Sequence, residues 1–168
     1  MPQAEGSQTA HIGLGSNLDD PVRQVRRGLE ELGHLPRTRL VACSSLYRSA
    51  PVGKLDQPDF VNAVAVLDTT LTPRELLQEL FALEARHGRA RGERNGPRTL
   101  DLDLLLLGDR VIREPGLEVP HARMHERAFV LLPLAEVSPG AVIPGRGPVA
   151  ELAERVADQL VARIDGKT

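Results

Sequence analysis

Apolar and polar positions follow two different periods along this chain, and each change of period marks an element. Ala10 to Leu14 is a short apolar run, and Gly15-Ser16-Asn17 predicts a turn out of it. From Pro21 the period becomes helical, with Val22, Val25, Leu29 and Leu32 on one stripe. Asp20 stands at the capping position, Pro21 at the first helical position, and Gly33 is a stop signal. Thr38 to Tyr47 predicts a second strand, with Leu40, Ala42, Ser44 and Leu46 alternating against Val41, Cys43, Ser45 and Tyr47. Arg48 to Pro58 carries Pro51, Gly53 and Pro58, a composition and length that predict a mobile functional loop. Phe60 to Leu67 predicts a third strand. Thr72-Pro73-Arg74-Glu75 is a capping box with proline at the first helical position. The helix it opens runs to about His87 over Leu76, Leu80 and Leu83, and Gly88 ends it.

Gly88 to Pro97 is a second loop, rich in glycine and arginine, that leads into an apolar run at Leu104 to Leu107. Val111-Ile112 predicts a short hairpin strand. Pro120 to Arg127 predicts a polar loop, and Ala128 to Val137 a helix bent by Pro133. Pro148 to Leu160 predicts a terminal amphipathic helix, and residues 1–8 a loose tail. Strand, helix, strand, strand, helix, strand is the order of a split βαβ unit. The expectation is an α+β chain, a ferredoxin-like α/β sandwich with a βαββαβ core and extra C-terminal helices. Strands two and three pair antiparallel in it. One domain, 1–168, accounts for the length.

Candidate chemistry concentrates in Arg94 to Gly108, RNGPRTLDLDLLLLG. Asp101 and Asp103 share one face of a strand, with Cα atoms roughly 6.6 Å apart, two strand rises. Carboxylates at the head of an apolar strand are costly unless a cation compensates them. Arg86, Arg89, Arg91, Arg94 and Arg98 lie just upstream. Arginines beside paired carboxylates suit a polyphosphate held by guanidiniums and bridged to aspartates by magnesium. Taken alone, an Asp-x-Asp is more often a salt-bridged sheet edge.

Composition narrows the classes. The chain has 168 residues, 41% of them apolar, enough for one real core. A net charge of −2 offers no global field for nucleic acid or an anionic membrane. The one cysteine, Cys43, excludes an intrachain disulfide framework and is expected as a small core residue in a reducing compartment. No run is long enough to cross a bilayer, and the N-terminus resembles neither signal nor transit peptide, so a cytoplasmic protein is expected. Gly166-Lys167-Thr168 ends the chain where a phosphate-binding loop would need a following helix, and Gly13-Leu14-Gly15 lacks the third glycine of a dinucleotide fingerprint. His121 and His125 are four apart but have no obvious third partner for zinc. Phe60 and Phe129 adjoin polar loops, where two rings either join the core or stack a flat heterocycle.

Together these residues resemble the hydroxymethyldihydropterin pyrophosphokinase family of folate biosynthesis. Gly96-Pro97-Arg98-Thr99-Leu100-Asp101-Leu102-Asp103 looks like the family signature. Ser44-Ser45-Leu46-Tyr47-Arg48, Asp56-Gln57-Pro58-Asp59-Phe60-Val61-Asn62 and Val119-Pro120-His121 match in the same order. The resemblance implies transfer of pyrophosphate from ATP to the hydroxymethyl group of 6-hydroxymethyl-7,8-dihydropterin, releasing AMP. It implies that Asp101 and Asp103 bind two magnesium ions, and that Arg91 and Arg98 hold phosphates, with Arg89 beside them. It implies that Phe60 and Phe129 sandwich the pterin, that Asn62 reads its edge, and that the backbone around Ser49, Ala50 and Val52 completes that edge. Glu84, Leu104, His121 and Arg127 match positions around the nucleotide, and the two loops would be lids. Asn95 stands where some members carry a tryptophan, Ala122 where some carry an aromatic, and the arginine loop is one residue shorter. These departures touch the lids and the adenine side rather than the metal centre. The implied partners are small molecules acting on a monomer, with no nucleic acid and no membrane. A non-catalytic ferredoxin-like binding module is the alternative, and it makes Asp101 and Asp103 dispensable for ligand affinity. A pyrophosphokinase for another alcohol is a third reading.

Overall fold

The apolar runs of this chain are strands covered by helices on both faces. The computed structural model describes residues 6–50, 58–88 and 99–164. In chain order come β1 (Gln8–Ser16), α1 (Pro21–Leu32), β2 (Thr38–Cys43), β3 (Tyr47–Ser49), β4 (Phe60–Thr69), α2 (Pro73–Arg86) and β5 (Asp101–Leu107). A hairpin of β6 (Ile112–Glu114) and β7 (Leu117–Val119) follows, then a 3-10 turn (Met124–Glu126) and α3 (Ala128–Val137). The chain closes with β8 (Val142–Ile143), β9 (Gly147–Pro148), α4 (Val149–Arg155) and β10 (Val161–Arg163). Six strands form one antiparallel sheet in the order β10-β3-β4-β1-β5, and β2 shares with β3 the edge of β4 that β1 leaves free.

Side-chain alternation sorts this sheet into two cores. Ala10, Ile12 and Leu14 of β1 and Val61, Ala63, Ala65 and Leu67 of β4 face Val25, Leu29, Leu32, Leu76, Leu80 and Leu83 of α1 and α2. Val64 of β4 joins Leu131, Leu134 and Leu152 of α3 and α4 on the other side. The leucine run of β5 serves both. The register with β1 shifts between His11 and Ile12, so Leu105 is an extra residue. Leu104 and Leu107 enter the first core, and Leu105 and Leu106 the second. Four consecutive leucines are buried because both faces of the sheet are covered, and the bulge sends Leu105 and Leu106 to the same side.

Several expectations change. The strand expected over Thr38 to Tyr47 is two strands. Ser44 N–H donates to Val64 O at 2.9 Å, while Val64 N–H donates to Ser44 Oγ at 2.9 Å. The hydroxyl replaces a main-chain acceptor, so the ladder breaks with one extra residue between Cys43↔Ala65 and Tyr47↔Asn62. Cys43 is exposed on the outer face of β2 rather than in the core. Asp20 makes no side-chain cap, because its backbone is left-handed (φ 64°) rather than extended as a capping residue requires. The capping box of α2 is present in both directions. Gln8, assigned to the tail, already pairs with Thr69. Gly15 and Ser16 are strand residues, not a turn. Val111 lies outside β6, which pairs with β7.

The expected terminal helix stops at Arg155. Beyond it, Gln159 accepts from Ala128 N–H and donates to Glu126 O, each at 2.9 Å. These bonds redirect the chain so that β10 fills the open edge of β3. Among the described residues no helix is long and apolar enough to cross a membrane.

Candidate active site

Two glycines make room on the sheet. Gly15 stands in register between Asp101 of β5 and Asn62 of β4, and Gly13 between Asp103 and Val64. All of these point toward the α3 face, opposite the Ile12 and Leu14 side chains. Any side chain at these rungs would fill the space between carboxylates and amide. A Cβ on Gly15 would lie 3.0 Å from Asn62 Nδ2, and one on Gly13 would lie 3.4 Å from the Leu105 methyls. The resulting cavity is about 120 Å³.

Eight expected site residues line that cavity: Ser49, Ala50, Phe60, Asn62, Asp101, Asp103, Arg127 and Phe129. The fold explains why residues so far apart meet. Phe60 opens β4, and Ser49 closes β3 directly opposite it. Arg127 and Phe129 stand at the start of α3, which crosses above the sheet. Arg127 places its guanidinium 5.5 Å from the centre of the Phe129 ring, within reach of a cation–π attraction. Burial pulls the guanidinium below its usual range, and Asp103 and then Asp101 oppose that pull. The group stays charged at neutral pH. One wall is therefore a ring topped by a cation, and the other carries two carboxylates.

His121 does not line the cavity but stands within electrostatic reach of it. Burial lowers its pKa, Arg127 adds to the lowering, and Asp101 opposes it. Its Nδ1 accepts from Arg123 N–H at 3.2 Å, so a neutral ring carries its hydrogen on Nε2, as a donor. His121 N–H bonds Leu105 O, tying this loop to the β5 bulge.

Glu84 and Leu104 do not face the cavity. Glu84 is buried on α2 and accepts from Leu102 N–H at 2.7 Å, capping an outward donor of the edge strand β5. Leu104 turns its side chain into the first core, leaving its main chain as what a ligand can meet. Ala122, noted as a departure, is exposed. Arg89, Arg91, Arg98, Val52 and Asn95 lie outside the described residues, as do most of the two loops expected to be lids.

Expecting a turn at Gly15 overlooks the roles of Gly13 and Gly15. The signal is their spacing of two, in alternation with Ile12 and Leu14, which marks a strand face kept bare. Val64 and Val130 also line the cavity, and nothing in the sequence distinguishes them from core. Asn17, read as part of the turn, is 1% exposed and donates to Pro58 O at 3.1 Å, holding the segment that leads into Phe60. Behind the site, Glu136 of α3 accepts from Tyr47 Oη at 2.7 Å, from Ser45, and from Arg163. Burial, then this carboxylate, pushes the Tyr47 pKa up to about 12.

Known proteins are similar to this chain in sequence and in fold. A family model for 7,8-dihydro-6-hydroxymethylpterin-pyrophosphokinase matches residues 11–139. The chain is similar to the 2-amino-4-hydroxy-6-hydroxymethyldihydropteridine pyrophosphokinase of Haemophilus influenzae, 45% identical over 94% of this chain and 98% of the relative. It is similar to the enzyme of the same name from Pseudomonas aeruginosa, 47% identical over 95% and 98%. In three dimensions it is similar to a Plasmodium falciparum HPPK-DHPS variant crystallised with pteroate, with a TM-score of 0.71 at 13% identity. That similarity covers 91% of this chain and 41% of the longer one, and it speaks for the fold alone.

Proposed function

The chain belongs to the 7,8-dihydro-6-hydroxymethylpterin-pyrophosphokinase family, and we propose that it transfers pyrophosphate from ATP to the hydroxymethyl group of 6-hydroxymethyl-7,8-dihydropterin, as a step of folate biosynthesis. The observation that carries this reading is one cavity holding both carboxylates, the amide and two aromatic rings. A flat heterocycle fits between Phe60 and Phe129 with its polar edge on Asn62, whose amide both donates and accepts. Its hydroxymethyl arm then extends toward Asp101 and Asp103.

Asp101 and Asp103 fit magnesium: they are hard oxygen donors on one strand face, and the bare glycine rungs beside them leave room for hydrated ions. Two ions held there would supply neutralisation of the triphosphate and help align its β-phosphorus. Arg127 stabilises phosphate charge from the opposite wall, joined in this proposal by Arg91 and Arg98, with Arg89 beside them. Opposed charges aimed at one cavity act most strongly on the charge that develops as the transition state forms. The substrate hydroxyl oxygen bonds the β-phosphorus, the bond from that phosphorus to the oxygen bridging it to the α-phosphorus breaks, and AMP leaves with that oxygen. Asp103 lies where it can accept the hydroxyl proton. Leu104 through its main chain and His121 through Nε2–H complete the nucleotide side, while Glu84, buried on α2, supports that side through its bond to Leu102 N–H.

The strand order supports a ferredoxin-like description, with β2 and β3 together serving as the second strand of the βαββαβ core, the whole chain forming one domain. The exposed thiol of Cys43 suits a reducing compartment such as the cytoplasm. The test is incubation with ATP, magnesium and the reduced pterin. AMP as the nucleotide product supports pyrophosphate transfer. ADP refutes it in favour of a simple kinase, and neither product supports a non-catalytic binding module.

A further inference from the structure

Ser49 and Asn62 are 4% and 5% exposed and stand diagonally across β3 and β4. Ser49 Oγ–H donates to Asn62 Oδ1 at 2.7 Å. An asparagine amide has nearly the same shape either way round, but its two ends have opposite hydrogen-bonding sense. Turning it over would invert the edge it recognises. With its oxygen held by the serine, the nitrogen points along the rung toward Gly15, where a Cβ would stand only 3.0 Å away. Gly15 has no side chain, so those N–H groups meet the cavity. In the inverted amide the hydroxyl would have to accept from the NH2 group and send its own hydrogen elsewhere, giving up the short Oγ–H bond to Oδ1. The main chain of Ser49 is fixed as well, paired with Phe60 on one side and Val161 of β10 on the other.

We propose that the Ser49 hydroxyl is a positioning residue that locks the Asn62 amide with its nitrogen toward the cavity, so that the site selects a heterocycle edge offering an acceptor at that point. The inference deepens the pterin reading above and rests on it. Serine does this without touching the reacting atoms. Its value lies in preorganisation: a free amide would spend part of its time presenting oxygen, and binding would have to turn it round.

Steady-state kinetics on Ser49→Ala and Ser49→Thr test the lock. Ser49→Ala is expected to raise the KM for the pterin about tenfold, the scale of one oriented hydrogen bond, while the KM for ATP stays put. Ser49→Thr keeps the hydroxyl and is expected to restore the pterin KM to within roughly twofold of the parent. If Ser49→Ala does not fold, Ser49→Cys, similar in size but a weaker donor, takes its place in the comparison. A second readout is the Asn62 side-chain NH2 signal in a nitrogen–proton NMR spectrum, expected as one sharp pair in the parent and broadened in the alanine variant. An unchanged pterin KM in Ser49→Ala, an equal loss in Ser49→Thr, or an Asn62 signal indifferent to the hydroxyl overturns the lock. A parent protein that makes no AMP refutes the reaction instead, and the NMR arm still decides the lock.

Discussion

Replacing His11 with phenylalanine should make the fold more resistant to acid. His11 lies on β1 under α3, 8% exposed. Its Nε2 is 2.9 Å from Ser138 Oγ at the end of α3, while its buried Nδ1 meets no hydrogen-bond partner among the described residues. Protonation would place a charge and an unmatched donor in an apolar layer. Burial accordingly lowers its pKa from 6.5 to about 4. The unfolded chain binds this proton below pH 6.5 and the folded chain only near pH 4, so this group costs stability as pH falls through that window. At pH 7.5 both states are neutral and the cost vanishes. At pH 5 the folded ring is still neutral while the unfolded one is nearly all charged, and the cost is about 2 kcal/mol. Urea unfolding of parent and His11→Phe at pH 7.5 and pH 5 measures it. Carboxylates such as Glu136 titrate in both proteins, so the difference between the two is the informative quantity. It should shift by about 2 kcal/mol in favour of the variant on going to pH 5. Parallel pH dependences would show that His11 keeps an ordinary pKa and that the argument from its burial is wrong.

Asp103→Ala should abolish turnover while pterin binding persists only weakly; AMP release at the parental rate from this variant would contradict the metal assignment. Phe129→Ala should weaken pterin binding by about 1 kcal/mol or more, the scale of one lost ring stack, and titration calorimetry showing an unchanged Kd would remove the ring from the pocket. Glu84→Ala should leave Leu102 N–H buried without this acceptor, costing about 1–3 kcal/mol in chemical denaturation. Glu84→Gln keeps an oxygen there and should recover most of that loss; a Gln variant as unstable as the Ala variant would mean the carboxylate's charge, not this bond, matters.

Local patterning made much of this fold legible. The stripe of α1, the capping box of α2 and the boundaries of α3 follow from residues a few positions apart, and the structure keeps them. The failures arise where distant parts decide. Ser44 ends β2 because its hydroxyl meets Val64 N–H, a contact twenty residues away that periodicity cannot reveal. The last strand, β10, exists because β3 offers an open edge and Gln159 turns the chain toward it, whereas the local pattern of 148–160 reads as a longer helix. Cys43 looks apolar in context but falls on the outward side of a strand. Within the site, Asp101 and Asp103 stand out because carboxylates are conspicuous at the head of an apolar strand, whereas Asn62 is singled out only by the family resemblance and Phe60 and Phe129 read equally well as core. Gly13 and Gly15 escape notice because what they contribute is absence of bulk. The Ser49–Asn62 bond joins two residues thirteen apart whose diagonal placement only the register discloses.

The most direct test of the metal-bridged site is a crystal structure with magnesium, a non-hydrolysable ATP analogue and the pterin bound together. Metal density held by both Asp101 and Asp103 is expected, with the pterin ring between Phe60 and Phe129 and its hydroxymethyl oxygen facing the β-phosphorus. Carboxylates turned away from the phosphates, with magnesium held elsewhere, would contradict it.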